Sequence, residues 1–152
     1  MKTYTNLYPE VCTFSALYRA YQLCRKGKHE SKYAIEFEQN REENLLALRD
    51  ELKEEQWQPG AYTEFFVEDP KRRRINAPLL RDRAVHHAVT DNILTDLWTR
   101  TFPYDSYACI KGKGTHVAAR RLQQFMRRHP AGSGYVLQLD VKSYFASINH
   151  EI

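Results

Sequence analysis

Hydrophobic positions along this chain recur with two periods, and the switches between them outline its elements. Residues 13–26 place Phe14, Leu17, Tyr18, Tyr21 and Leu23 at mostly helical spacing, with Gly27 suited to stop the helix. Residues 31–56 predict one longer helix, with Phe37, Leu45, Leu48 and Leu52 on a stripe and carboxylates over the solvated remainder. Pro59-Gly60 breaks it. Alternation in AYTEFFVEDP predicts a strand, Asp69-Pro70 a turn, and RRRINAP a returning strand; Lys71, Arg72 and Arg73 are expected at the tip of this hairpin. Pro78 stands where a helix would begin. Over 79–98, Leu80, Ala84, Val85, Ala88, Val89, Ile93 and Leu97 make a helical core face, which Trp98 and Phe102 are expected to close. The loop YDSYACIKGKG then leads into an amphipathic helix over about 115–129, with Val117, Ala118, Leu122, Phe125 and Met126 on its apolar face. YVLQLDV predicts a short strand in which Val136 alternates with Gln138 and Asp140.

Composition narrows the class. A chain of 152 residues, 42% hydrophobic and 12% aromatic, can bury a core and is not of the disordered type. No apolar run approaches the roughly 20 residues of a membrane span, and MKTYTNLYPE lacks the apolar stretch of a secretory signal. Cys12, Cys24 and Cys109 are widely spaced without a CxxC pair, which argues against a disulfide framework or a zinc site. They are expected to be ordinary buried thiols of a cytoplasmic protein.

Charge changes the picture more. Residues 30–70 hold 4 Lys/Arg against 12 Asp/Glu, whereas residues 71–128 hold 13 Lys/Arg against 4 Asp/Glu. A continuous basic stretch of this kind attracts phosphate polymers, although solvated helices can be equally basic without binding nucleic acid.

Asp140 ends the last predicted strand and is followed by VKSYF. Nucleotidyl transfer uses carboxylates to hold Mg²⁺ between the attacking hydroxyl and the triphosphate, and a strand end is a rigid mount for one. Taken alone, the same aspartate reads first as a cap on the next turn.

The surrounding string, LQLDVKSYFASINHE, resembles the first palm motif of reverse transcriptases, particularly those of group II introns, retrons and diversity-generating retroelements. QPGAYTEFFVEDPKRRRINAPLLRDRAVHHAV is similar to that family's fingers hairpin and following helix, and DSYACIKGKGTHVAARRLQQF to its next block. FEQNREENLLALRDEL resembles the upstream helix of this branch. The four blocks run in the family's order from about residue 35 to residue 152.

The resemblance implies roles for particular residues. Asp140 matches the first metal-binding carboxylate, with the carbonyl of Val141 as the backbone ligand after it, for Mg²⁺ or Mn²⁺. Phe145 occupies the steric-gate position that excludes a ribose 2′-hydroxyl. Arg73 matches the fingers arginine on the incoming triphosphate, with Lys71 as its companion; among four consecutive basic residues, Arg72 or Arg74 could take its place. Lys111, Lys113 and His116, in the glycine-punctuated loop, and Arg120 on the helix after it are expected near the template. Arg81, Asp82 and Arg83 are expected to combine structural and template contacts. His86 and His87 are adjacent and cannot make the zinc pair that spacing by four allows, so they read as packing or surface residues. Tyr104, Tyr107 and Phe125 lie among the basic residues and could stack on bases, or simply pack in a core.

The implied architecture is α+β: the fingers and first palm strand of a right-hand polymerase, truncated. It would comprise a helical region over 1–56, fingers over 57–133 and an incomplete palm over 134–152. No Asp-Asp pair occurs in the sequence, whereas the family's second palm motif carries one. The expected function is therefore the amino-terminal part of an RNA-directed DNA polymerase that is inactive by itself. Its expected partners are an RNA template, a DNA primer, deoxynucleoside triphosphates and an element-encoded RNA or accessory protein, with no membrane. The alternative is a non-catalytic fingers module that binds nucleic acid, or a retroelement relic. The last strand, lacking neighbours, is expected to have an unpaired edge.

Overall fold

The structure is a computed structural model that describes residues 3–27, 32–129, 132–149 and 151. Residue 31, where the second helix was expected to start, and His150 of the palm-like string lie outside the described residues. The fold is mixed α and β, mostly helical, with a small two-stranded antiparallel sheet. It divides into two compact units, Met1–Phe102 and Pro103–Ile152.

The first unit opens with a short helix α1 (Tyr8–Val11) and the longer α2 (Phe14–Arg25). Thr13 caps α2 by accepting a hydrogen bond from the Ala16 amide at 3.2 Å. Gly27, at φ +73°, takes up the left-handed conformation that helix exits favour. The single helix expected over 31–56 is two helices, α3 (Lys32–Gln39) and α4 (Arg41–Lys53). The break falls at Asn40, which leaves helical geometry (φ −124°, ψ 40°). Asparagine competes with the helical backbone for hydrogen bonds, and Glu42 and Glu43 suit the amino-terminal turn that follows it.

β1 (Thr63–Val67) and β2 (Arg73–Ala77) form the expected hairpin, with Phe65 opposite Ile75 and Val67 opposite Arg73. Helix α5 (Leu80–Val89) runs into a π-helical turn (Thr90–Leu94) and then α6 (Thr95–Thr99), where the pattern predicted one uninterrupted helix. On an unbroken α-helix, Ile93 would lie about half a turn away from Ala84. The wider π turn absorbs the excess, and Ile93 joins the core with Val85 and Ala88. The Thr95 hydroxyl, bonded to the Thr90 carbonyl at 2.8 Å, supports that turn.

The core lies between α2, α4 and α5. Leu17, Tyr21, Leu45, Leu48 and Leu80 pack there, and Ala20, Ala84 and Ala88 let α2 and α5 approach closely. Trp98 and Phe102, expected to close this end, are instead 56% and 45% exposed; Leu94 and Leu97 pack against the core in their place. Cys12 and Cys24 are buried as expected, but Cys109 is exposed.

Polar groups at the margin of this core are tied together. Tyr21 stacks on Phe37 with ring centroids 5.2 Å apart and donates its hydroxyl hydrogen bond to Glu38. Glu38 also pairs with Arg25 at 3.2 Å and Arg41 at 3.1 Å, so one carboxylate on α3 joins α2 and α4.

The second unit carries α7 (Thr115–Arg127), which begins directly after Gly114, and a 3₁₀ turn (Phe145–Ser147). YVLQLDV does not form the expected strand: among the described residues, the sheet consists of β1 and β2. A strand exists only through a ladder with a neighbour, and among the described residues none pairs with this segment. Tyr135, Val136, Leu137 and Leu139 are consequently exposed.

Candidate nucleic-acid interface

The hairpin presents its basic residues by strand alternation. Lys71 and Arg72 lie in the connection between the strands, whereas Arg73 is the first residue of β2 rather than part of the tip. Side chains alternate across a strand, so Arg73 shares a face with Ile75, Val67 and Phe65, and Arg74 takes the other. Arg74 approaches Glu64 at 3.9 Å on that second face, and Arg72 approaches Glu68 at 3.6 Å while covering the Phe66 ring at 4.6 Å. Lys71 and Arg73 have no carboxylate partner among the described residues. The sequence left the register among four consecutive basic residues open; the pairing pattern distinguishes them.

Neither face of the hairpin is covered: Phe65 and Phe66 are both nearly half exposed. Its anchor is at the base, where the Gly60 amide donates to the Asp82 carboxylate at 2.9 Å. Asp82 is 1% exposed and sits in the first turn of α5. A Cβ on Gly60 would meet Leu79 Cδ1 at 2.8 Å and the Asp82 carboxylate at 3.2 Å, so this approach requires glycine. Arg81 binds Glu51 of α4 through its two terminal guanidinium nitrogens, and its Nε lies 3.5 Å from Asp82. Its charge is therefore committed within the fold. His86 is exposed, and His87 bonds Asp91 at 2.9 Å, one helical turn on.

No protein-family model matches this chain, and no curated protein matches it.

In the second unit, loop 103–114 folds onto α7 through a cluster of cations and aromatic rings. Arg121 donates to Asp105 at 2.9 Å, and the Tyr107 hydroxyl donates to the same carboxylate oxygen at 2.7 Å. The Arg121 guanidinium also lies over the rings of Phe125 (4.5 Å) and Tyr104 (5.4 Å). Lys113 donates to the Tyr104 carbonyl and sits 4.8 Å from that ring's centroid and 5.5 Å from that of Tyr107. The hydrogen bond from Arg121, followed by that from Tyr107, holds the Asp105 carboxyl below its usual range. Sequence reasoning singled out Lys113 and the rings but missed Asp105 and Arg121. The one readable signal was an aspartate alone in a basic stretch. Lys111, His116 and Arg120 are exposed, with no carboxylate partner among the described residues.

Asp140 and Val141 are exposed, and the Val141 amide donates to the Asp140 carboxylate at 3.0 Å. That bond is the turn-capping arrangement the sequence allowed. Phe145 is 83% exposed and meets Tyr144 edge-on at 5.2 Å. The described residues contain no group of three or more His, Cys, Asp or Glu side chains that could hold a metal ion. Asp140 and the Val141 carbonyl thus offer two oxygen donors, which do not amount to a two-metal site by themselves. No described helix is long and apolar enough to cross a membrane.

Proposed function

We propose that this chain is the fingers and the opening of the palm of an RNA-directed DNA polymerase, and that it grips an RNA template, a DNA primer and an incoming deoxynucleotide without completing the reaction alone. The observation that carries the reading is the hairpin, whose Lys71 and Arg73 have no carboxylate partner among the described residues while Arg72 and Arg74 do. A guanidinium can meet phosphate oxygens in bidentate fashion, and an ammonium meets them as a point charge. On this reading Lys71 and Arg73 take the triphosphate, Phe145 screens the sugar, and Lys111, Lys113, His116 and Arg120 lie along the template. Arg81 then serves to hold α5 to α4 rather than to touch nucleic acid. Asp140 and Val141 contribute ligands for Mg²⁺ or Mn²⁺, and the other carboxylates of that centre are not among these 152 residues.

The test is binding of a DNA primer annealed to an RNA template across a salt series. Binding that weakens with salt is expected, and Lys111→Ala with Arg120→Ala should lower the log–log salt slope by roughly 1–2. Binding indifferent both to salt and to these substitutions would overturn the reading. With deoxynucleotides and Mg²⁺ supplied, the chain alone should not extend the primer. Extension would refute the assignment of the remaining carboxylates elsewhere.

A further inference from the structure

We propose that Asp105 is a built-in competitor for phosphate: its carboxylate occupies Arg121, and single-stranded RNA gains that arginine only by displacing it. The inference rests on the nucleic-acid reading above and adds a regulation of the same surface.

Residues 97–139 contain seven Lys/Arg and a single carboxylate, Asp105. That one carboxylate could have remained in solvent. Instead it sits on Arg121, sixteen residues away in sequence, at 2.9 Å, with the Tyr107 hydroxyl on the same oxygen. Arg120 and Arg127 on the same helix, and Arg128 just after it, have no such partner among the described residues. A carboxylate and a phosphate present the same kind of oxygen acceptors to a guanidinium, so the two compete for one site.

The surroundings suit the incoming ligand as well as the resident one. Tyr104 is 76% exposed, and its ring already carries two cations, Lys113 and Arg121. Exposed rings beside cations are what successive bases of a single strand stack on. The contact is also not required to hold the helix in place. An ion pair this open to solvent contributes little to stability, and the Arg121 guanidinium over the Tyr104 ring joins helix and loop beside it.

The test is equilibrium binding of a single-stranded RNA oligonucleotide to the full chain. Asp105→Asn should tighten binding by about three- to fivefold, given the worth of a solvent-exposed ion pair. It should also steepen the salt slope by about 0.7, the value for one more phosphate contact on a single strand. Glu43→Gln, which removes the same charge from the acidic helix α4, should change affinity much less. Adding Arg121→Ala to Asp105→Asn should abolish the gain. Should Asp105→Asn disturb α7, judged by far-ultraviolet circular dichroism, the unmodified background supplies a second reading: Arg120→Ala should cost more affinity than Arg121→Ala. Salt-dependent binding that Asp105→Asn leaves unchanged, or changes no more than Glu43→Gln does, overturns the competition and leaves the proposed function standing. So does a greater loss from Arg121→Ala than from Arg120→Ala. Absence of salt-dependent binding by both the unmodified chain and Asp105→Asn overturns both.

Discussion

The two units contain helices of similar length and similar amphipathic pattern, yet they use their apolar faces differently. Every fully buried side chain among the described residues lies between Val11 and Ile93, in the first unit. There Leu17 of α2 is 0% exposed, because α5 presents Ala84 and Ala88 to it and α4 adds Leu45 and Leu48 to the same core. In the second unit, Leu122 of α7 is 49% exposed and Met126 60%. They line an open groove of about 450 Å³ together with Phe125 and the segment around Tyr135 to Leu137. An apolar stripe can specify a helix by its period, but burial requires a second apolar surface of matching shape. Where that surface is missing, α7 meets its loop through a cation on the Tyr104 ring, with the partly exposed Arg121–Asp105 pair beside it.

The sharpest way to break this contrast is to remove the same atoms on each side. Leu45→Ala should cost about 2–5 kcal/mol, the range for truncating a packed core leucine. Leu122→Ala should stay within about 0.5 kcal/mol, as surface changes do. Denaturant unfolding of both variants checks this, and comparable losses would show that α7 is covered after all. A smaller effect is expected at the base of the hairpin. Asp82→Ala leaves the Gly60 amide without its acceptor, at a cost of about 1–3 kcal/mol. Amide hydrogen exchange should then accelerate across residues 63–77 while α7 remains unchanged; equal acceleration in both would argue against a local anchor.

Within the first unit, a smaller effect again at neutral pH concerns Tyr21. Burial first, and then the bond to Glu38, push its hydroxyl from 10.0 up to about 12. The unfolded chain releases this proton at the ordinary value, so the stabilisation is complete below about pH 10 and is lost as the pH rises towards 12. Tyr21→Phe should therefore flatten the alkaline fall in stability over that window. At neutral pH it should cost about 0.5–1.5 kcal/mol, for the lost hydrogen bond. A fall as steep as that of the unmodified chain would mean that other groups govern it.

Much of the first unit was legible in the sequence. Helix α2, the α4 stripe and the hairpin follow from period, turn residues and Thr13, all of which act within a few residues. The break at Asn40 and the π turn at Thr90–Leu94 were not legible from the apolar pattern, which runs through both. Each is a local departure that packing selects: the first turns α4 into the core, and the second brings Ile93 round to it. The last strand failed for the opposite reason, since a ladder needs a partner that no local pattern supplies.

The candidate site divides in the same way. The sequence by itself determined the basic stretch, the glycine-punctuated loop and the row of cations at the hairpin, because composition and order are properties of the chain. Only the tertiary structure decided which of those cations have partners. Arg81 went to Glu51 thirty residues away and Arg121 to Asp105, while Lys71 and Arg73 received no carboxylate among the described residues. Those choices depend on which side chains the fold brings within a few ångströms, and Coulomb attraction between exposed groups is too short-ranged in water for sequence distance to reveal it.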